Sequence, residues 1–357
     1  MHKKRIAVIF GGASSEHEVS RVSAASVIDN MPKDKYDIFT VGITKDGEWL
    51  LTSATTEQIA SGEWENDEDN LSAFIAPDPS IHGLCVMDNG RCEQLYIDAV
   101  FPVLHGKYGE DGTIQGLFEM AQLPYVGCAT ASSAVCMDKI FTNTVLEQNG
   151  IAQAKWLWFT KYDYFKNAGH YDDIIEKELG FPCFVKPANA GSSVGITKVK
   201  SREALADAIR LAAENDRRIL VEEGIDGLEL ECAVLGNDQP IASIVGQIDP
   251  GKEFYDYEAK YSCAQSLLYI PAKVDESIIE DIRRQAVKAY RALDCAGLSR
   301  VDFFLRKSDN AILLNEVNTL PGFTSISMYP KLFDYSGIPY SELLDRIISL
   351  AFERDQK

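Results

Sequence analysis

The chain is 357 residues long, 46% hydrophobic and 25% charged, with a formal net charge of -19. That length exceeds one typical core and calls for two or three domains, and the negative charge, with no basic stripe interleaved with aromatics, argues against a nucleic-acid partner. No run approaches the roughly 18 apolar residues that span a bilayer, and M-H-K-K-R-I-A-V-I-F-G-G is too short in its apolar part for a secretory signal, so a cytoplasmic protein with no membrane partner is expected.

Residues 5–10 are the first expected strand, and G-G-A-S-S-E-H-E-V-S leads into a helix with Val22, Ala25, Val27 and Ile28 as apolar positions. Strands at 38–43 and 99–104 extend a wound α/β sheet. The stretch 48–98 is rich in turn formers and acids without a clean period, and is expected as a peripheral insertion. Its run E-W-E-N-D-E-D-N at 63–70 reads as a solvated surface. The strand at 99–104 ends in L-H-G-K-Y-G-E-D-G-T, and loops beyond strand ends are where open α/β sheets place ligands. Ile114, Leu117, Phe118 and Ala121 then predict a helix from Thr113. A middle segment follows, with a helix over 132–149 and strands near 181–187, 194–199 and 218–223. Ser201 is the expected N-cap of a helix carrying Leu205, Ile209 and Ala212. Beyond 228 come further strands, an amphipathic helix over 277–293 (Ile278, Ile282, Ala286, Tyr290, Leu293), a hairpin and a closing helix at 340–352. The eight cysteines, at 85, 92, 128, 136, 183, 232, 263 and 295, form no C-x-x-C pair, so free thiols are expected rather than bridges or zinc.

Three segments carry chemistry. R-V-D-F-F-L and A-I-L-L-N-E-V-N flank S-D-N, which reads as a turn. If the two runs pair, alternate side chains share a face, and Arg300, Asp302, Glu316 and Asn318 converge. Two carboxylates and an amide carbonyl suit a hard divalent cation, and magnesium usually bridges carboxylates to nucleotide phosphates. The hairpin alone equally describes a strand end with solvated charges, with Arg300 in a plain ion pair with Asp302 or Glu316. In F-V-K-P-A-N-A-G-S-S-V-G-I-T-K-V, Lys186 ends a strand before a loop of Gly191, Ser192, Ser193 and Gly195. Such a loop lets backbone N–H groups surround phosphate oxygens. It differs from a Walker motif, in which the lysine closes the glycine loop and opens a helix. The run I-L-V-E-E-G-I-D-G-L-E-L-E-C-A-V reads as strand, connector, strand, and such a connector can present backbone groups to an adenine ring. Glu222 could accept from the exocyclic amine and Glu229 from ribose hydroxyls; an ordinary exposed surface is the alternative.

A strand lysine, a phosphate loop, an adenine connector and then Asp, Glu and Asn on a hairpin, in this order, resemble the ATP-grasp family. Within it, G-G-A-S-S-E-H-E-V-S, L-H-G-K-Y-G-E-D-G-T, M-D-K, K-P-A-N-A-G-S-S-V-G, F-Y-D-Y-E-A-K-Y, S-R-V-D and N-E-V-N-T-L-P-G-F-T-S resemble the D-alanine-D-alanine ligases over essentially the whole chain. The resemblance implies a three-domain ATP-grasp architecture: an N-terminal wound α/β domain over 1–128 and two α+β domains, 129–223 and 224–357, clasping ATP. It implies ATP-dependent joining of two D-alanines through an acyl phosphate, for peptidoglycan synthesis. Two magnesium ions, replaceable by manganese, would sit at Asp302, Glu316 and Asn318, with Lys139 and Lys186 on the phosphates and Ser193, Glu222, Glu223, Ile225, Glu229 and Lys260 also around the nucleotide.

The same resemblance assigns the oxyanion to Arg300 and the backbone N–H of Gly322, and the first D-alanine's ammonium to Glu16, linked through Ser192 to Tyr261. His105 would lie near the first carboxylate, Lys260 and Ser327 would bind the second one, and Met328 would supply an apolar wall. Y-D-Y-E-A-K-Y, with Tyr255 and Tyr257, would close over the site. Tyr261 favours an amine nucleophile over a hydroxyl one, and Met328 favours D-alanine over D-serine at the second subsite; a D-alanine-D-serine ligase is the alternative. Ile326 stands where a histidine is common and Gly224 where many relatives carry a bulky residue. A homodimer is implied by resemblance alone.

Overall fold

The computed structural model describes residues 3–191, 194–249 and 267–355. Seven strands form the first sheet: β1 (Lys4–Gly11), β2 (Tyr36–Ile43), β3 (Trp49–Thr52), β4 (Leu71–Ile75), β5 (Gly83–Asp88), β6 (Arg91–Tyr96) and β7 (Ala99–Leu104), in the order 6-5-4-3-2-1-7. Only β1 has parallel neighbours on both sides, β2 and β7. From Ile6 onward it is correspondingly a run of apolar residues buried on both faces. Ile6, Val8 and Phe10 enter one core, and Ala7 and Ile9 enter another.

The acidic stretch 48–98 is more regular than its sequence suggests. Its four strands continue the sheet outward from β2 with antiparallel pairing. After α1 (His17–Asn30), the short helix α2 (Thr56–Ser61) starts on a capping box between Thr55 and Gln58. Trp64, inside the run read as a solvated surface, is fully buried edge-to-face on Phe10. Glu65, also in that run, pairs with the buried His17 at 3.3 Å.

Helix α3 (Thr113–Met120) packs Ile114 and Phe118 beneath the first sheet. The helix expected over 132–149 is two helices, α4 (Thr130–Met137) and α5 (Lys139–Gln148). Asp138 separates them because its carboxylate accepts from the N–H groups of Ile140 and Phe141, both at 3.1 Å, and so starts a new helix.

The central sheet is antiparallel: β8 (Trp156–Thr160), β9 (Cys183–Pro187), β10 (Thr197–Val199) and β11 (Arg218–Glu223), in the order 10-9-11-8. Helices α6 (Lys161–Lys166), α7 (Ala168–Glu178) and α8 (Leu205–Asn215) accompany it. Ser201 does not cap α8 as expected. It precedes a single 3-10 turn, Arg202–Ala204, and makes no side-chain capping bond; α8 begins at Leu205.

The third sheet is antiparallel too: β12 (Gly227–Gly236), β13 (Ile241–Asp249), β14 (Leu267–Tyr269), β15 (Gly297–Arg306) and β16 (Ile312–Asn318), in the order 14-13-12-15-16. Helix α9 (Glu276–Ala292) covers one face with Ile279, Ile282, Ala286, Ala289 and Tyr290, three and four residues apart. On the other side, α10 (Met328–Tyr335) and α11 (Tyr340–Asp355) join the core that holds Ile6, Val8 and Phe10 of β1. The first and last parts of the chain thus share one interior. No helix among the described residues is long and apolar enough to cross a membrane. Among those residues the cysteines are free, with Cys85, Cys128, Cys183, Cys232 and Cys295 buried and Cys92 exposed.

Candidate active site

The hairpin forms as its alternation predicts. Across β15 and β16, Arg300 lies opposite Asn318 and Asp302 opposite Glu316. On the other side of β15, Asp302 lies opposite Glu231 of β12, so three carboxylates form a row across adjacent strands. Arg300 offsets this charge: its Nε and Nη2 donate to the two Asp302 oxygens at 2.8 and 2.6 Å, and Nε lies 3.2 Å from Glu231. Burial works against the guanidinium, but Asp302 and Glu231 hold its pKa well above the usual value. The ion pair weighed as an alternative for Arg300 therefore forms, with Asp302 and also with Glu231, a residue the sequence reading did not single out although it shares a face with Glu229.

This donor set fits a hard cation. Asp302, Glu316 and Asn318 offer oxygen only; Asn318 Oδ1 accepts from Leu320 N–H at 3.1 Å and keeps a second lone pair. No group of three or more His, Cys, Asp or Glu side chains among the described residues is gathered into a metal site. The Asn318 amide and ligands from outside the protein would have to complete any shell, as is usual for magnesium.

Lys186 leaves β9 toward β11 and forms an ion pair with Glu222, whose other oxygen accepts from Asn143 Nδ2 at 3.2 Å. Lys139, the first residue of α5, donates through Nζ to Ala190 O at 2.7 Å, at the root of the glycine-rich loop. Two lysines from different elements thus flank the loop over 187–195, of which Ser192 and Ser193 lie outside the described residues. In the connector, Glu223 N–H donates to Lys155 O and its Oε1 accepts from Lys155 N–H at 2.8 Å. Gly224 N–H donates to Pro182 O, and a Cβ at Gly224 would stand 2.6 Å from that same carbonyl, which explains why this position carries no bulky residue. Ile225 follows in the connector, and Glu229 lies on β12 opposite Phe304.

Glu16, just before α1, is 6% exposed. Its Oε2 lies 2.7 Å from where a Cβ on Gly106 would be and 3.2 Å from one on Gly191. The loop after β1, the loop after β7 and the phosphate loop therefore meet at one carboxylate. His105 is buried nearby. Its Nδ1 faces Leu320 O at 3.1 Å, and a carbonyl can only accept, so Nδ1 carries the proton. Nε2 then accepts from the Ser23 hydroxyl at 3.3 Å, whose oxygen accepts from Phe323 N–H. Burial lowers the His105 pKa, with Glu16 pulling weakly the other way, so the ring is neutral.

Two readings need correction or addition. Met328, expected as a wall of the second subsite, is 4% exposed and packs into the core, its methyl against Gly246 of β13; Ile326, 37% exposed, is the apolar side chain displayed there. Glu110, in L-H-G-K-Y-G-E-D-G-T but not singled out, accepts from Gly106 N–H at 2.7 Å. Burial, then the neighbouring Glu16, raise its pKa well above the carboxylate range. In the loop after β16, Ser327 Oγ accepts from Thr324 N–H at 3.0 Å and stands 2.9 Å from where a Cβ on Gly322 would be, so a side chain at 322 would displace that hydroxyl. Tyr255, Tyr257, Lys260 and Tyr261 lie outside the described residues.

A wound α/β unit followed by two antiparallel sheets, with lysines on one and a carboxylate hairpin on the other, defines an ATP-grasp enzyme, a ligase that forms a carbon–nitrogen bond. Residues 5–128 match the model of the D-ala D-ala ligase N-terminus, and residues 145–349 that of the D-ala D-ala ligase C-terminus. The chain belongs to the D-alanine-D-alanine ligase family. It is 53% identical to the D-alanine--D-alanine ligase of Ruminiclostridium cellulolyticum, over 99% of this chain and 96% of the relative. It is 51% identical to that of Thermoanaerobacter sp., over 99% and 98%. Among solved structures, the VanG D-Ala:D-Ser ligase from Enterococcus faecalis superposes with a TM-score of 0.89 at 43% identity, covering 98% of this chain and all of that one. The D-alanine-D-alanine ligase from Coxiella burnetii gives 0.86 at 36% identity, covering 100% and 96%.

Proposed function

We propose that this chain joins two D-alanines into D-alanyl-D-alanine, consuming ATP through an acyl phosphate, as a cytoplasmic homodimer serving peptidoglycan synthesis. The observation that carries the reading is the meeting of Glu16 with Gly106 and Gly191, where a carboxylate suited to an amino acid's ammonium adjoins the root of a lysine-flanked phosphate loop. An amino acid held there would present its own carboxylate to the terminal phosphate.

The difficulty is negative charge approaching negative charge. Lys139 and Lys186 would offset it on the nucleotide side, with Glu222, Glu223, Ile225 and Glu229 around the base and ribose. Arg300 and the Gly322 N–H would stabilise the oxyanion, where losing one donor costs about 3 kcal/mol in the barrier. Asp302, Glu316 and Asn318 would hold two magnesium ions, or manganese, which when bound neutralise phosphate charge and align the transfer. Neutral His105 would orient the first carboxylate by a fixed dipole rather than by taking a proton. Ser192, Tyr261, Lys260 and Ser327 complete the set, Ser192 and Tyr261 bracing Glu16 and Lys260 and Ser327 receiving the second substrate. The domains would divide at 1–128, 129–223 and 224–357.

The lower identity to the VanG ligase than to the D-alanine--D-alanine ligases of Ruminiclostridium cellulolyticum and Thermoanaerobacter sp. gives no support to D-serine as second substrate. Mass spectrometry after incubation with ATP, magnesium and equal D-alanine and D-serine tests the reading. D-alanyl-D-alanine with ADP is expected; predominant D-alanyl-D-serine, or a phosphorylated amino acid without dipeptide, would overturn it.

A further inference from the structure

Lys139 is the first residue of a helix, so its position depends on whatever fixes the start of α5. Asp138 does this with both oxygens. Oδ1 takes the N–H groups of Ile140 and Phe141, both at 3.1 Å, while Oδ2 pairs with Arg218 at the start of β11. The Asp138 side chain is 3% exposed and that of Arg218 19%, and the guanidinium also lies over the Phe141 ring at 5.0 Å. Because Asp138 fills the helix end, that end is closed to a phosphate, and the lysine beside it is the cation α5 offers.

The same two segments hold the root of the phosphate loop. Ala188 N–H donates to Arg218 O at 3.0 Å, and Ala188 O accepts from Lys139 N–H at 2.9 Å. Asp216 extends the staple, accepting from Asn189 N–H at 2.9 Å and Arg218 N–H at 3.0 Å. The start of α5, the root of the loop and the start of β11 are thus tied at one buried charge pair.

We infer that Asp138 and Arg218 act together as positioning residues, setting Lys139 against residues 188–190 at the root of the loop so that the lysine meets the nucleotide's phosphates. This rests on the reading of Lys139 as a phosphate ligand. Both side chains are spent on partners within the protein, so they act through Lys139 and affect nucleotide more than amino acid.

The test measures binding of a non-hydrolysable ATP analogue by calorimetry, KM for D-alanine and thermal unfolding in the full chain. Asp138→Asn keeps an oxygen for the helix cap but loses the charge, and Arg218→Met removes its partner. Each is expected to weaken analogue binding about tenfold, as loss of a hydrogen bond to a charged group does, with KM for D-alanine unmoved and Arg218→Lys recovering most of the loss. Should either single variant fail to fold, the double variant D138N/R218M removes both buried charges and leaves none unpaired; its affinity then decides. Variants that melt earlier yet bind the analogue like the parent would make the pair a mere brace and overturn the inference. Lys139→Met separates the two layers. If it too binds like the parent, the reading of Lys139 falls and the inference with it; if it alone weakens binding, only the inference falls.

Discussion

Arg300 holds Asp302 by two hydrogen bonds, 2.8 and 2.6 Å long, and lies 3.2 Å from Glu231. One guanidinium thus balances a row of carboxylates, and the function proposed above gives it the oxyanion as well. Arg300→Ala should cut dipeptide formation about 100- to 1000-fold, the usual loss for an oxyanion donor, and lower stability by about 3–5 kcal/mol, because it leaves buried carboxylates without their cation. Arg300→Lys should recover stability more than activity, since an ammonium keeps the charge but not the paired geometry. Chemical unfolding beside product quantification checks this; an active Arg300→Ala enzyme would refute the oxyanion role.

Gly106 has φ of +69°, and a Cβ there would stand 2.7 Å from Glu16 Oε2. Gly106→Ala should cost about 1–2 kcal/mol for the left-handed backbone and push Glu16 aside. KM for D-alanine should rise while binding of an ATP analogue holds. Steady-state kinetics with calorimetry would expose the opposite pattern.

His105 makes stability depend on pH with a definite sign. Its folded pKa lies below the ordinary 6.5, so above 6.5 its contribution is fully present. As pH falls below 6.5, the unfolded chain takes up a proton that the folded one refuses, and stability drops by at most about 1.4 kcal/mol per pH unit until the folded pKa is passed. His105→Gln should flatten that acid limb relative to the parent. Urea titrations at several pH values from 7.5 downward read the difference; parallel curves would show that His105 does not carry it.

Arg354 of α11 donates to Gly127 O and, at 3.0 Å, to Tyr125 O, with its guanidinium 4.1 Å from the Tyr125 ring centre. Arg354→Ala should remove about 1.5–3 kcal/mol of stability while leaving kcat unchanged, because the carbonyls it holds, of Gly127 and Tyr125, belong to none of the residues assigned to the reaction. A drop in kcat without a drop in melting temperature would contradict that division.

The sequence disclosed most where one physical pattern dominates. The strand at 5–10 is apolar from Ile6 onward because it is buried on both faces there, and the S-D-N turn marks the hairpin, but the register shift between Asp302 and Phe303 that sets Asp302 opposite Glu316 left no sign in the sequence. The strands inside 48–98 were hidden because they lie outward in the sheet, short and partly wet; β6 is exposed at five of its six positions. Asp138 was read as helix interior because a capping aspartate between two short helices keeps the apolar rhythm of one long helix. That Met328 packs into the core was not legible, because sequence does not say which side of a helix start faces inward. Glu110 and Glu231 gained their surroundings only when distant loops and strands came together.

Ile6, Val8 and Phe10 of β1 belong to the same core as Leu343, Leu344, Ile347 and Ile348 of the last helix, while α1 and Trp64 pack directly against that strand. During synthesis that core is completed only by the latest helix: at about 5–20 residues per second, on the order of 20–70 s passes between the first strand and the last contributor. For that interval part of this apolar interior stays open, with only α1 and the Trp64 segment available to shield it. Ribosome-bound chains halted before α11 should bind holdase chaperones that the released protein ignores.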